Sequence, residues 1–283
     1  MITPSLTLIV YGVTINESIS KLFMAGVLPG LVLASLFMAY IAGWSFLRRE
    51  QVPAPEPKMT MGQRLYNSRF LIPVILLIGL VIGTIYTGVA TATESAAFGV
   101  IGALALAASQ RSLTKKALIE SLLGATRTSC MIALILAGAA FLALAMGFTG
   151  LPSTVAEYIS SLELSPLTLI FALMCFYIII GMFLDGISSV VLTMAVVEPM
   201  VRQAGIDLLW FGIFIVVVVE MAQITPPIGF NLFVMQGMTK KPIGYIAKTA
   251  FPMFLLMVVM VGVLVLFPEL ATYLPENMRN TPG

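Results

Sequence analysis

Long apolar runs alternate with short polar breaks along the chain. Five of these runs approach or exceed the length of a bilayer crossing, and they lie at about 21–46, 70–89, 94–109, 128–148 and 244–267. A helix needs roughly 20 apolar residues to span a membrane. The pattern therefore predicts transmembrane helices in these five places.

Four further apolar runs are too short to cross a bilayer alone, and they lie at 166–184, 187–201, 208–223 and 230–238. Leu184-Asp185-Gly186 joins the first two, which favours a re-entrant hairpin whose tip lies inside the membrane. Two true spans would agree equally well with the loop charges. The last two runs are interpreted as the halves of one broken helix.

The segment Ile224-Thr225-Pro226-Pro227-Ile228-Gly229 separates these halves. Proline lacks a backbone donor and disfavours helical geometry in the residue before it. Two consecutive prolines therefore leave carbonyl groups without partners at a depth where water is absent. Because free carbonyls and helix ends can coordinate Na⁺ and an anionic solute, the break predicts a transport site.

Composition indicates a polytopic helical membrane protein. Hydrophobic residues make up 59% of the chain, charged residues make up 10%, and the mean hydropathy is +1.04. The absence of histidine excludes histidine metal sites and Ser-His catalysis, and both cysteines lie in apolar runs. We therefore expect no enzyme and no cofactor apart from Na⁺ as a coupling ion. The net charge of +2 gives no indication of nucleic acid binding.

Loop charge predicts the orientation in the membrane. Basic residues fall in or beside three loops, at Arg48, Arg49, Lys58, Arg64, Arg69, Arg111, Lys115, Lys116, Arg127, Lys240 and Lys241. Because Lys and Arg are enriched in cytoplasmic loops, we place these loops inside. The opposite loops carry Glu17, Glu157, Glu163 and Asp207, with Lys21 and Arg202 as exceptions. Residues 51–58 predict an extended linker, and 113–125 predict an amphipathic helix on the membrane surface.

Asp185 is one of only two aspartates and is a strong site candidate, because an ionisable residue inside a bilayer is costly. Its carboxylate, the hydroxyls of Ser188 and Ser189, and carbonyls exposed at Gly186 are suited to Na⁺ or to the solute. Capping of the following helix is the alternative role, and the two roles can coexist.

Four other residues are candidates beside the break or at a helix start. Thr225 and Asn231 offer side-chain oxygens where the backbone is open, so we expect them in the site. Glu220, about one turn before the break, is expected to support its structure. Glu94 is expected to begin a helix whose positive end suits its charge, with Thr93 as the cap.

A short motif near the start of the chain is similar to the break. Ile2-Thr3-Pro4-Ser5 precedes Gly12 much as Ile224-Thr225-Pro226-Pro227 precedes Gly229. Two repeats would explain this similarity, and chance recurrence in an apolar protein is the alternative. On the repeat hypothesis, the second repeat runs from about residue 70 to 267, and the chain begins within the first repeat.

The expected organisation has five parts. Residues 1–47 form the end of the first repeat, 48–69 a cytoplasmic linker, and 70–149 the scaffold and arm helices of the second repeat. Residues 150–238 form a transport part with the hairpin and the broken helix. Residues 239–283 form the last transmembrane helix and a periplasmic tail.

Several long segments resemble the large membrane subunit of tripartite ATP-independent periplasmic (TRAP) transporters. The most specific covers residues 181–234 and contains GMFLDGISS and EMAQITPPIGFNLF. ITPSLTLIVYG at 2–12, KLFMAGVLPGLVLASLF at 21–37 and TATESAAFG at 91–99 are similar to further segments of that family. The ordered matches cover nearly the whole chain.

The resemblance implies an inverted-repeat, elevator-type transporter with a re-entrant hairpin and broken helices, in the bacterial or archaeal inner membrane. It implies Na⁺-driven import of a small organic acid, such as a C4-dicarboxylate or sialic acid. A periplasmic binding protein and a small membrane subunit of about four helices would be its partners. The Na⁺ candidates are Thr3, Ser5, Leu184, Asp185, Gly186, Ser189, Thr225, Pro226 and Gly229. The solute candidates are Asp185, Ser188, Thr225 and Asn231.

The chain also departs from the family pattern. The family's first hairpin would precede Thr3 and is absent from this sequence, so we expect a fragment of about two thirds of such a subunit. A truncated or non-transporting assembly subunit is the alternative. Thr3, Ala92, Val218 and Gln223 stand where the family usually has Pro, Pro, Asn and Leu. Val218 and Gln223 could alter substrate choice or reflect a divergent subgroup.

Overall fold

The computed structural model describes residues 5–48, 60–68, 71–162 and 164–278. Every regular element within these ranges is a helix, which confirms the predicted all-α class. Several predicted features lie outside the described residues, namely Thr3, Arg49, Arg69, Glu163 and the extended linker at 51–58.

The described ranges contain thirteen helices. They are α1 (Leu6–Ile15), α2 (Ile19–Leu47), α3 (Met61–Ser68), α4 (Ile72–Tyr86), α5 (Ala92–Ser109), α6 (Lys115–Thr149), α7 (Leu151–Ser161), α8 (Pro166–Gly181), α9 (Gly186–Gln203), α10 (Leu208–Gln223), α11 (Phe230–Thr239), α12 (Ile243–Leu266) and α13 (Glu269–Glu276).

Four helices, α2, α5, α6 and α12, have the length and hydropathy of membrane crossings. All four overlap predicted spans, so the polytopic membrane architecture is confirmed. The fifth predicted span, 70–89, corresponds to α4, which has only 15 residues. Its length is about 22 Å at 1.5 Å per residue, shorter than the hydrocarbon core of a bilayer. The helix ends early because the chain turns after Tyr86, with Gly88 at a φ of 72°.

The predicted boundary between a surface helix at 113–125 and a span at 128–148 is wrong. The structure has one continuous helix, α6, of 35 residues. Neither a proline nor a turn motif lies between the two predicted parts, and the lone Gly124 is tolerated within a helix. Polar residues at the junction, including Thr126 and Arg127, were read as a boundary although they are compatible with helix.

The chain divides into two compact units. One contains residues 1–37 and 130–277, and the other contains residues 38–129 and 278–283. In the second unit, α4 packs against α5, and the hydroxyls of Thr84 and Ser95 lie 3.0 Å apart within hydrogen-bonding distance. The predicted hairpin and helix break both belong to the first unit.

The core of the first unit surrounds α10. Residues 211–219 are all buried, and α10 packs against α1, α8, α9, α12 and α13. The apolar run FGIFIVVVV makes this possible, because it is hydrophobic on every side of the helix. The Tyr11 hydroxyl donates to the Leu208 carbonyl at 2.8 Å, and the Trp210 indole donates to the Leu264 carbonyl at 3.0 Å. These contacts fix the helix that leads into the break.

The helices after the two similar motifs share a pattern. Both α1 and α11 have 10 residues, and both end at a residue in the left-handed conformation, Asn16 at a φ of 59° and Lys240 at 55°. Each is followed by a long apolar helix with an internal proline, Pro29 in α2 and Pro252 in α12.

Candidate functional site

The first half of the site is the turn between α8 and α9. The Asp185 carboxylate caps α9, because its Oδ2 accepts from the backbone N–H groups of Ile187 at 3.1 Å and Ser188 at 3.2 Å. The capping role considered for Asp185 is therefore confirmed. Both contacts use one carboxylate oxygen. Within the described residues, Oδ1 accepts no hydrogen bond, so it stays available to a ligand.

The two serines of the hairpin tip, defined as residues 184–189, differ in environment. Ser189 is fully buried, and its hydroxyl donates to the Asp185 carbonyl at 2.9 Å. Ser188 is half-buried, and its hydroxyl has no hydrogen bond to any residue that the structure describes. A hydroxyl oxygen keeps lone pairs for a cation whether or not its hydrogen is donated, so both serines can offer ligands.

The second half of the site is the helix break, defined as residues 224–229. The structure interrupts the helix where the sequence predicted, with α10 ending at Gln223 and α11 beginning at Phe230. Pro226 and Pro227 cannot donate to the preceding turn. Among the described groups, none donates a hydrogen bond to the carbonyls of Gln223 and Thr225. The Thr225 hydroxyl donates to the Met221 carbonyl at 2.7 Å.

The structure brings the hairpin and the helix break into contact. The backbone N–H of Gly229 donates to the carbonyl of Met182, just before the tip, at 3.1 Å. Small residues allow close approach between α8 and α10, since a Cβ built on Gly181 would lie 2.6 Å from the Cβ of Ala222. A Cβ on Gly186 would similarly lie 3.0 Å from Cγ1 of Val219. The helix break and the end of α10 are thus packed against the hairpin segment that contains Asp185.

The remaining predicted residues occupy different positions. Leu184 is half-buried in the turn, Pro226 is exposed in the break, and Asn231 is half-buried near the start of α11. Ser5 precedes α1 in extended geometry, and its side chain makes no capping hydrogen bond. Glu220 is partly exposed and forms no ion pair within the described part of the chain.

Glu94 has a local structural role, with a different cap from the predicted one. Thr91, and not Thr93, caps the helix, because α5 begins at Ala92 and Thr91 has the extended geometry of a cap. The Thr91 hydroxyl accepts from the Glu94 N–H at 3.3 Å, and Oε2 of Glu94 accepts from the Thr91 N–H at 2.8 Å. This reciprocal capping box gives Glu94 a structural role at the start of α5.

Gln223 was recognised in the sequence only as a departure from a family pattern, and the structure places it against the hairpin tip. A Cβ built on Gly186 would lie 2.7 Å from Nε2 of Gln223. The available signal was a polar amide at the end of a run that is apolar apart from Glu220, directly before the break.

The donor set suits a hard cation held by oxygen. No three His, Cys, Asp or Glu side chains in the described ranges are close enough to hold a metal ion together. The groups near the hairpin tip and the helix break are instead carbonyl oxygens, hydroxyls and one carboxylate. Such ligands match Na⁺ better than a transition metal, which favours imidazole or thiolate.

A multi-pass helical membrane protein with a broken helix packed on a helical hairpin has the architecture of a secondary transporter. A family model identifies the family: that of the tripartite ATP-independent periplasmic transporter, DctM component, matches residues 1–270. The chain therefore belongs to the DctM family of TRAP transporters, and the predicted family membership is confirmed.

Curated relatives agree with this assignment. The chain is 31% identical to a putative TRAP transporter large permease protein of Haemophilus influenzae, over 95% of this chain and 67% of that protein. It is 29% identical to the C4-dicarboxylate TRAP transporter large permease protein DctM of Pseudomonas aeruginosa, over 98% of this chain and 64% of that protein. It is 28% identical to the sialic acid TRAP transporter permease protein SiaT of Haemophilus influenzae, over 98% of this chain and 44% of that protein. The chain spans about two thirds of the length of the first two relatives.

Proposed function

We propose that this chain forms the solute-translocating part of a Na⁺-coupled permease in the bacterial or archaeal inner membrane. The permease imports a small organic acid that a periplasmic binding protein delivers, and it works with a small membrane subunit. The contact between the hairpin and the helix break is the observation that carries this proposal, because it packs the segment with the free carbonyls of Gln223 and Thr225 against the segment that contains Asp185. Family membership and the names of two relatives support the organic acid as the solute class.

Na⁺ binding would link the two halves of the site. The ion would be held by the Asp185 carboxylate and the Ser189 hydroxyl from the hairpin, and by the Thr225 carbonyl from the break. A cation shared between two segments binds their packed arrangement more tightly than their separated arrangement. Binding therefore shifts the population towards the packed form.

The solute would bind beside the ion. A bound Na⁺ offsets the negative charge of Asp185, so an organic anion can approach the same region at lower electrostatic cost. The N-terminal end of α9 adds partial positive charge there. Ser188 and Asn231 offer polar groups without intramolecular partners among the described residues. Coupling follows because the solute binds well only after the cation.

Movement of the loaded site would follow an elevator mechanism in an inverted-repeat fold. The matching pattern of α1 with α2 and of α11 with α12 supports two related halves, with Ser5 at the position that corresponds to the break. On this proposal, Ser5 and Thr3 contribute to a second Na⁺ site.

Uptake in proteoliposomes tests the proposed function. The permease would be reconstituted with its small subunit and binding protein, using this chain as given and a version extended by the upstream coding sequence. We expect uptake of labelled succinate or sialic acid that requires an inward Na⁺ gradient and stops when K⁺ replaces Na⁺. Succinate and sialic acid are chosen because relatives carry the names of these solute classes.

The controls separate three outcomes. Uptake without Na⁺ would contradict cation coupling, and absence of uptake by both versions would contradict organic acid transport. Liposomes that lack the binding protein should show no uptake at low solute concentration. Uptake by the extended version alone would support a site that needs upstream residues as well.

A further inference from the structure

Gln223 ends α10 and leads directly into the helix break. Its side chain lies against the hairpin, since a Cβ built on Gly186 would be 2.7 Å from its Nε2 and 3.8 Å from its Cδ. Only 9% of the residue is exposed. The amide therefore occupies the contact between tip and break, in space that the missing side chain of Gly186 leaves open.

The Gln223 amide lacks a hydrogen-bond partner among the described residues, unlike other buried polar side chains. Ser95 is paired with Thr84, Ser189 with the Asp185 carbonyl, Tyr11 with the Leu208 carbonyl, Tyr177 with Thr193, and Trp210 with the Leu264 carbonyl. Burial of an unpaired amide costs free energy, and native proteins seldom leave such groups unsatisfied. This exception indicates a partner that the described part of the chain does not supply.

The polar groups of the hairpin tip and of the helix break, which flank Gly186 and Gln223 along the chain, are mainly acceptors. They include the carbonyls of Gln223 and Thr225 and the Asp185 carboxylate, while the hydroxyls of Ser189 and Thr225 already donate to carbonyls. A glutamine amide offers two N–H donors and one acceptor oxygen. A cation at this site would find oxygen ligands without Gln223, whereas the oxygens of an organic acid would need donors.

Resting on the proposed transport function, we propose that Gln223 is a specificity-determining residue of the solute site. Its amide N–H groups donate hydrogen bonds to a carboxylate or hydroxyl oxygen of the transported organic acid. The solute thereby supplies the partner that the amide lacks, and it contacts the hairpin tip and the helix break at the same time. Gln223 thus favours solutes with an acceptor oxygen at this point over solutes that present an apolar group there.

Kinetics of Gln223→Leu test the inference in the reconstituted permease. Leucine is of similar size but removes the donors. With succinate or sialic acid, whichever the wild type takes up, we expect the apparent KM to rise about tenfold or more. The Na⁺ concentration for half-maximal uptake should stay within about twofold, because the amide does not bind the cation. Thermal unfolding should occur no lower than in wild type, since no intramolecular hydrogen bond is lost.

Gln203→Leu is the matched control. Gln203 is exposed at the end of α9 opposite to Gly186, so its replacement should leave the KM unaltered. If Gln223→Leu shows Na⁺-dependent uptake with an unchanged KM, the inference about Gln223 is overturned and the proposed function still holds. If Gln223→Leu needs more Na⁺ at an unchanged KM, the amide binds the cation, and the inference about Gln223 is likewise overturned. Absence of wild-type uptake would overturn both proposals. If Gln223→Leu does not fold, Gln223→Met provides the same comparison.

Discussion

Replacement of Gly229 by alanine is expected to abolish solute uptake and to lower the stability of the permease by about 2 kcal/mol or more. Gly229 has a φ of +53°, which costs a residue with a side chain roughly 1–2 kcal/mol. A Cβ at this position would also lie 2.8 Å from the Thr225 carbonyl oxygen and 3.1 Å from that of Gln223. Relief of these contacts must move the carbonyls that the site requires.

Thermal unfolding in detergent and Na⁺-dependent uptake measure the two effects. Gly237→Ala is the matched control, because Gly237 lies in the following helix with nothing within 4 Å of an added Cβ. Alanine in a helix interior is expected to stabilise by roughly 0.5–1 kcal/mol. If Gly229→Ala unfolded at the wild-type temperature and transported normally, the left-handed geometry at the break would not be needed for function.

Replacement of Asp185 by asparagine is expected to raise the Na⁺ concentration for half-maximal uptake about tenfold or more. Each tenfold rise corresponds to a loss of about 1.4 kcal/mol in the free energy of Na⁺ binding. Asparagine is as good a helix cap as aspartate, so stability should change little. Asp185→Ala removes both the helix cap and the negative charge, so it should additionally lower the free energy of unfolding by about 1 kcal/mol. The pair of variants therefore separates the cap on Ile187 and Ser188 from the charge offered to the ion.

The second aspartate of the chain provides the control for this pair. Asp207 caps α10 in a similar way, with Oδ1 accepting from the Trp210 N–H at 2.8 Å, at the end of that helix away from the break. Asp207→Asn should leave the Na⁺ requirement unaltered. An unchanged Na⁺ requirement in Asp185→Asn would restrict Asp185 to its capping role and remove it from the proposed coupling site.

Features with a strong local cause could be predicted from the sequence. Two prolines must end a helix, so the break after Gln223 was found at the correct residues. Hydrophobic length located α2, α5 and α12 in the same way. The continuity of α6 could not be read from the pattern, because a polar stretch within an apolar helix resembles a boundary when the backbone is unknown.

Features that depend on packing were harder to predict. The sequence indicated that Asp185 and the helix break share a site, but only the structure gives the hydrogen bond from Gly229 to Met182 that joins them. The burial of Gln223 depends on the neighbouring Gly186 of another helix, and no local rule reports that contact. The cap at Thr91 was missed because two threonines stand close together and only backbone geometry distinguishes them.

Cation-dependent protection of the hairpin tip tests the central claim most directly. Ser188→Cys would be introduced after Cys130 and Cys175 are replaced by alanine, and alkylation by a water-soluble maleimide would be followed in Na⁺ and in K⁺. Ser112→Cys, at an exposed position of the turn between α5 and α6, is the control. We predict that Na⁺ slows alkylation at position 188 but not at position 112, because the ion holds the tip against the helix break. Equal rates at position 188 in Na⁺ and K⁺ would contradict a Na⁺ site between the tip and the break.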